Sequence, residues 1–193
     1  MSGVIVVLGR QGSGKGTQCG LLEQHFDGVV HVSTGDMLRD AATSGTPLGR
    51  RAEAIMTAGE LVPDDVMCDV VAERLVPLLE SGATVLLDGF PRTPAQAEAL
   101  AGMTVPDGIA GAVLLEVDVA EVSERMLARG RDDDTVAGIA RRLELYEAQT
   151  APLVEWFAGR GLLQRIEGTG APEEVFDRLA AAIGGLVPLR LSR

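Results

Sequence analysis

Lysine is all but missing from this chain. Of its 193 residues only Lys15 is lysine, and every other cationic side chain among the 17 Lys and Arg is arginine. Cations are outnumbered by 28 Asp and Glu, which sets the net charge at −11. That balance excludes a general surface for nucleic acid or an anionic membrane, and a polyanion site must gather its cations locally. Cysteine is scarce as well. Cys19 and Cys68 show no CxxC spacing, which excludes a disulfide framework and fits small core residues in a reducing compartment. No apolar run is long enough to span a bilayer. The first apolar stretch starts near residue 4, which leaves no room for a signal or transit peptide, so a cytoplasmic protein is expected.

With 46% hydrophobic and 23% charged residues, the chain has the composition of a soluble domain with a real core. No repeat, low-complexity tract or linker divides it. Apolar runs at 4–8, 29–32, 85–87, 112–117 and 162–166 alternate with helical patterns, which predicts a five-stranded parallel sheet with helices on both faces. Residues 34–80 hold only helical patterns, more than one crossover needs, so a helical insert is expected there. Cys19 and Cys68 fall in predicted helices. The run Gly130-Arg131-Asp132-Asp133-Asp134 predicts a turn into a helix reaching about Arg160, with the aspartates at its positive end. Leu186–Arg193 carries no pattern and reads as a loosely held tail.

The chain is organised around Val4–Thr17. An apolar strand, the turn Gly9-Arg10-Gln11-Gly12-Ser13-Gly14-Lys15 and a helical pattern follow in the order a phosphate-binding loop requires. The glycines let backbone N–H groups close around an anion, and the helix start adds its partial positive charge. A glycine-rich turn alone caps strands in many α/β proteins, but here both flanking elements are present. Lysine is a compact point charge that arginine cannot replace in a tight loop, which suits a lone Lys15 reaching the terminal phosphates. Gly16, not Ser or Thr, follows it, so a direct hydroxyl ligand for Mg²⁺ is missing there.

The strand Val85–Leu87 ends in Asp88, placed to serve Mg²⁺ through water. Gly89-Phe90-Pro91-Arg92 and Ser33-Thr34-Gly35-Asp36-Met37-Leu38-Arg39 each follow a strand. Arg92 and Arg39 therefore reach the carboxyl edge of the sheet and form a second anion site. Arg125, Arg129, Arg131, Arg141 and Arg142 crowd one segment. Exposed ion pairs would explain some of them, yet in so acidic a chain they fit a clamp on a transferring phosphoryl group.

The set GRQGSGKGTQ, STGDMLR, GELVPDD, LLDGFPRT and RDDD, with RLELY eleven residues after its arginine, resembles the adenylate kinases from residue 4 to about 183. The resemblance implies a core of 1–32, 63–128 and 135–185, a nucleoside-monophosphate-binding insert at 33–62, a short lid at 129–134 and a tail at 186–193. It implies that Gly12, Ser13, Gly14, Lys15, Gly16 and Thr17 wrap the ATP phosphates, with Arg129 against ATP and the Gly170 backbone at its adenine. Arg39 and Arg92, at the end of Gly89-Phe90-Pro91, would hold the AMP phosphate, joined by Arg131 and Arg142. Thr34, Glu60, Leu61, Val62 and Gln96 would line the AMP base. The implied activity is Mg²⁺-dependent transfer from ATP to AMP giving two ADP, by a monomer. Lys15, Arg92, Arg129, Arg131, Arg142 and Asp88 would act in catalysis, Mg²⁺ being held mainly by water and phosphate. No structural zinc is expected, because the cysteine-bearing lid of long forms is absent.

The chain departs from the pattern at Gln11, where proline is usual, and at Ala137-Gly138, where an acidic residue is usual. A UMP/CMP kinase remains the near alternative, which Thr34 and Gln96 argue against. A catalytically silent nucleotide-binding regulatory module is the other, but it should lack a clamp arginine, and none is missing.

Overall fold

Gly3–Leu8 forms strand β1, and all six of its residues are buried. The computed structural model describes residues 3–37, 50, 62–105, 108–130 and 134–192. Helix α1 covers Lys15–His25, β2 Val29–Ser33, α2 Asp64–Glu80, β3 Thr84–Asp88 and α3 Pro94–Met103. Then come β4 Ile109–Glu116, α4 Val119–Arg129, α5 Val136–Leu145, a π-helical turn at Tyr146–Thr150, α6 Ala151–Ala158, β5 Leu163–Glu167 and α7 Pro172–Gly184. The strands lie in the order β2-β3-β1-β4-β5, and every pairing is parallel. The fold is therefore the predicted five-stranded parallel sheet of the phosphate-loop type.

Continuous apolar strands signal burial on both faces, and the side chains divide accordingly. Val4, Val6 and Leu8 join Val71 and Leu75 of α2, Leu100 of α3 and Phe157 of α6 in one core. Ile5 and Val7 point the other way, onto Cys19 and Leu22 of α1 and Leu179 and Ile183 of α7. A smaller cluster of Val122, Met126 and Ile139 joins α4 to α5. Cys19 and Cys68 lie in α1 and α2 as free thiols.

Two sequence expectations need correction. The stretch after α7 is not loose. Val187 is buried, Leu186 and Leu189 pack on the core, and Phe26 pairs with Leu191 in an antiparallel bridge. The Asp27 and Ser192 amides donate to the Arg190 and His25 carbonyls at 2.8 and 2.9 Å. An extended path over the end of α1 has no periodicity to read, although Val187 is buried and Leu186 and Leu189 are partly so. The second correction concerns the aspartates placed at a helix start. The predicted helix to about Arg160 is α5, the π turn and α6 in succession, with Pro152, which offers no N–H, at the start of α6. Thr135 caps α5 by accepting from the Gly138 amide at 3.0 Å, while the Asp134 carboxylate turns to arginines instead. Asp132 and Asp133 lie outside the described residues.

Candidate active site

Parallel strands end together at one edge, and the strand order reverses on either side of β1, where α/β proteins open a crevice. The register sets Asp88 level with Val7 and with Ser33, so the ends of β1, β2 and β3 meet there. A cleft of about 1020 Å³ opens above them.

One wall is the loop between β1 and α1. Gly12 and Gly14 have φ of +83° and +95°, a region that L side chains rarely adopt. A Cβ on Gly12 would also press on the Val122 carbonyl at 2.7 Å. Gly14 is the N-cap of α1, and no side chain caps that helix. Its first backbone N–H groups are left for an anion. Lys15 folds back across the loop, its Nζ donating to the Gly9 and Arg10 carbonyls at 2.8 and 2.9 Å. Burial lowers the pKa of this ammonium, and the nearby Asp88 charge partly opposes the shift. An anion in the loop would give it the countercharge it lacks.

Asp88 projects from the floor. His31 Nε2 lies 3.8 Å from Asp88 Oδ2, is buried and has no hydrogen-bond partner. A Cβ on Gly16 would lie 3.6 Å from the same oxygen, so the loop leaves space in front of the carboxylate. Among the described residues no group of three His, Cys, Asp or Glu could enclose a metal ion. Magnesium does not require one, since it keeps several waters and binds through one or two carboxylates plus substrate phosphates. One carboxylate with open space in front of it fits that ion, which takes oxygen ligands and keeps its water.

Three arginines line the opposite side. Asp134, whose side chain is fully buried, receives Arg129 Nε and Nη2 at 2.9 and 2.8 Å and Arg142 Nη2 at 2.8 Å. One carboxylate thus brings the end of α4 to the face of α5. Arg92 is held near the floor by its Nε, which donates to the Gly89 carbonyl at 2.9 Å. Gly89 must be glycine here, because its φ is +85° and a Cβ would meet Thr34 Oγ1 at 2.6 Å. Thr34 in turn donates to the Asp88 carbonyl at 3.2 Å.

The cleft thus brings together Gly12, Ser13, Gly14, Lys15, Gly16, Thr17, Thr34, Asp88, Gly89, Pro91, Arg92, Arg129, Arg142 and Gly170. Phe90 is buried in the core beside it, and Val62 packs against that same core. Gln96, at the start of α3, is buried behind Arg92. Arg39, Glu60, Leu61 and Arg131 lie outside the described residues.

Arg125, which the sequence placed in the arginine clamp on the Arg129 face of its helix, also lines the cleft, with its guanidinium near the Ser13 carbonyl at 3.5 Å and the Gly168 carbonyl at 3.3 Å. Other contacts escaped the sequence. Arg10 pairs with Glu147 at 2.6 Å and lies 5.4 Å from the Tyr146 ring, tying the loop to the π turn. Nothing in the sequence pointed to that contact or to His31.

Sheet order, loop and strand-end carboxylate define a phosphate-loop α/β protein. The family model for adenylate kinase matches residues 7–162. A Thermus thermophilus protein named adenylate kinase is 45% identical over 186 residues, covering 93% of this chain and 96% of that protein. A Synechococcus protein of the same name is 45% identical over 182 residues, covering 93% and 97%. One from Stenotrophomonas maltophilia is 41% identical over 186 residues, covering 93% and 98%. The chain belongs to the adenylate kinase family.

Proposed function

We propose that this protein catalyses reversible, Mg²⁺-dependent transfer of the γ-phosphoryl group of ATP to AMP, giving two ADP. The observation that carries the reading is the cleft itself, where an uncapped helix start with Lys15 faces Arg92, Arg129 and Arg142. Such a transfer needs no covalent intermediate, and catalysis is positioning plus charge neutralisation. The loop N–H groups from Gly12 to Thr17 hold the donor phosphates, and Lys15 leaves the Gly9 and Arg10 carbonyls to meet them. Arg129 and Arg125 lie on the donor side, with the Gly170 backbone at the adenine. Arg92 and Arg39 hold the acceptor phosphate, and Arg142 and Arg131 bracket the group in transit. Thr34, Glu60, Leu61, Val62 and Gln96 surround the acceptor base. When bound, Mg²⁺ neutralises and orients the donor phosphates, and Asp88 holds its water shell.

Among the described residues no helix is long and apolar enough to cross a membrane. We further propose a cytoplasmic monomer whose partners are ATP, AMP and ADP. A coupled assay with Mg-ATP and AMP, UMP, CMP, GMP or dTMP tests the reading. AMP should exceed UMP in kcat/KM by orders of magnitude, because a site that hydrogen-bonds one base strands its polar groups with another, and should exceed CMP because the smaller ring fills the pocket less well. Comparable values for UMP would move the protein to the pyrimidine class.

A further inference from the structure

A glutamine amide can present its oxygen and nitrogen in either order, so by itself it does not distinguish adenine from hypoxanthine. Adenine offers an acceptor at N1 and donors on its 6-amino group. Hypoxanthine, of the same size, offers a donor at N1 and an acceptor at O6. Rotating a glutamine amide by half a turn exchanges the two complementary patterns. At Gln96 two neighbours oppose that rotation.

Gln96 Nε2 donates to Asp64 Oδ1 at 2.6 Å, and Gln96 Oε1 accepts from the Arg92 backbone N–H at 2.7 Å. A carboxylate only accepts, and a backbone N–H only donates. Rotating the amide would turn Oε1 against the carboxylate and Nε2 against the N–H. Two hydrogen bonds would become two repulsive contacts in a pocket where Gln96 is only 4% exposed. The carboxylate is fixed as well, since Asp64 Oδ2 accepts from Thr93 Oγ1 at 3.0 Å, and Thr93 caps α3 by accepting from the Gln96 backbone N–H. One N–H of Nε2 and one lone pair of Oε1 remain for a ligand, in a single order.

We infer that Asp64 is a specificity-determining positioning residue, which locks the Gln96 amide in the orientation that accepts a 6-amino purine and rejects a 6-oxo purine. Asp64 does not touch the base; it acts through Gln96. The inference rests on the placement of Gln96 against the acceptor base. The same pattern groups the 4-amino pyrimidine with adenine and the 4-oxo pyrimidine with hypoxanthine, so purine is told from pyrimidine by size and not by this lock.

The test compares kcat/KM for AMP and for IMP, with Mg-ATP as donor, in the wild type and in Asp64→Asn. Asparagine keeps the shape but can offer either an oxygen or an N–H to Gln96, so the stronger of the two barriers to rotation is removed and only the Arg92 N–H still opposes it. The AMP-to-IMP ratio should fall about tenfold or more, carried partly by a rise for IMP, with KM for ATP unmoved. A merely structural role would lower both acceptors together and leave the ratio alone. Should the variant fail to fold, side-chain amide exchange in the wild type decides. One Nε2–H of Gln96 should be protected with or without AMP, and the other should shift when AMP binds. A wild-type ratio retained in a folded Asp64→Asn, or free exchange of both protons, overturns the lock alone. A wild-type protein that does not phosphorylate AMP overturns the functional proposal and the lock with it.

Discussion

A Cβ built on Gly16 would stand 3.6 Å from Asp88 Oδ2, an ordinary contact distance with no clash. Gly16 is thus not kept small by packing. The gap it leaves lies between the first turn of α1 and the strand-end carboxylate, where water on a phosphate-bound cation would sit. Gly16→Ala should leave the fold intact or stabilise it by about 0.5–1 kcal/mol, the usual gain of alanine over glycine in a helix. Turnover should nevertheless drop about tenfold or more as the methyl displaces that water. Melting curves and steady-state kinetics separate the two effects. Turnover within threefold of wild type would show that the gap is unused.

Asp134 places one buried carboxylate between Arg129 and Arg142. Asp134→Asn keeps the shape and removes the charge that holds both guanidinium groups. Breaking a buried pair from one side costs roughly 3 kcal/mol, less here because Arg129 is partly exposed. Denaturant titration should show that loss. kcat should fall for both substrates, since both arginines lose their fixed positions. If kcat and stability both stay at wild-type levels, the carboxylate is not organising the clamp.

Burial holds the Lys15 ammonium below the ordinary lysine pKa. Phosphate in the loop favours the charged form and moves the value back up. In the window between the depressed value and the ordinary one, ATP binding should therefore take up a proton. KM for ATP should rise as pH climbs through that window. The sign for folding is the reverse: charged Lys15 opposes folding below its depressed value, and the cost fades as pH rises toward the ordinary value. Calorimetry of ATP binding in two buffers of different ionisation enthalpy measures the uptake. Proton release in that window would contradict the placement of Lys15.

Gly170 has a φ of +106°, and a Cβ there would press on the Glu174 carboxylate and lie 3.1 Å from Arg178 Nη2. Arg178 also donates from Nη2 to the Thr169 carbonyl at 2.8 Å, which fixes the loop after β5. Gly170→Ala should displace that loop, raising KM for ATP about tenfold while leaving KM for AMP near wild type. Equal changes in the two KM values would place Gly170 outside the donor side.

The sheet was legible because a strand buried on both faces must be continuously apolar, and the runs at 4–8 and 85–87 have no other use. The loop was legible because chemistry restricts its residues to glycine and one lysine. What escaped the sequence depends on contacts between distant segments. Asp134 looked like a dipole-stabilising aspartate, and only the approach of α4 to α5 shows that two arginines claim it. Gln96 read as a base-facing amide, while Asp64, 32 residues earlier, gave no sign that it sets the order of its atoms. Leu186–Ser192 lacked periodicity because it is a turn off the end of α7 followed by chain that lies over the end of α1, and neither repeats.

If one cleft transfers a phosphoryl group between two bound nucleotides, with Lys15 at the point of transfer, the protein must disproportionate ADP. Phosphorus NMR of the protein supplied with Mg²⁺ and ADP alone measures this. ATP and AMP should appear in equal amounts as ADP is consumed, with no build-up of inorganic phosphate. Lys15→Ala should slow this conversion by at least a hundredfold, the scale of losing a charge that acts on the transition state. ADP left unchanged by the wild type, ADP converted only to AMP and inorganic phosphate, or a Lys15 variant as fast as wild type would each contradict it.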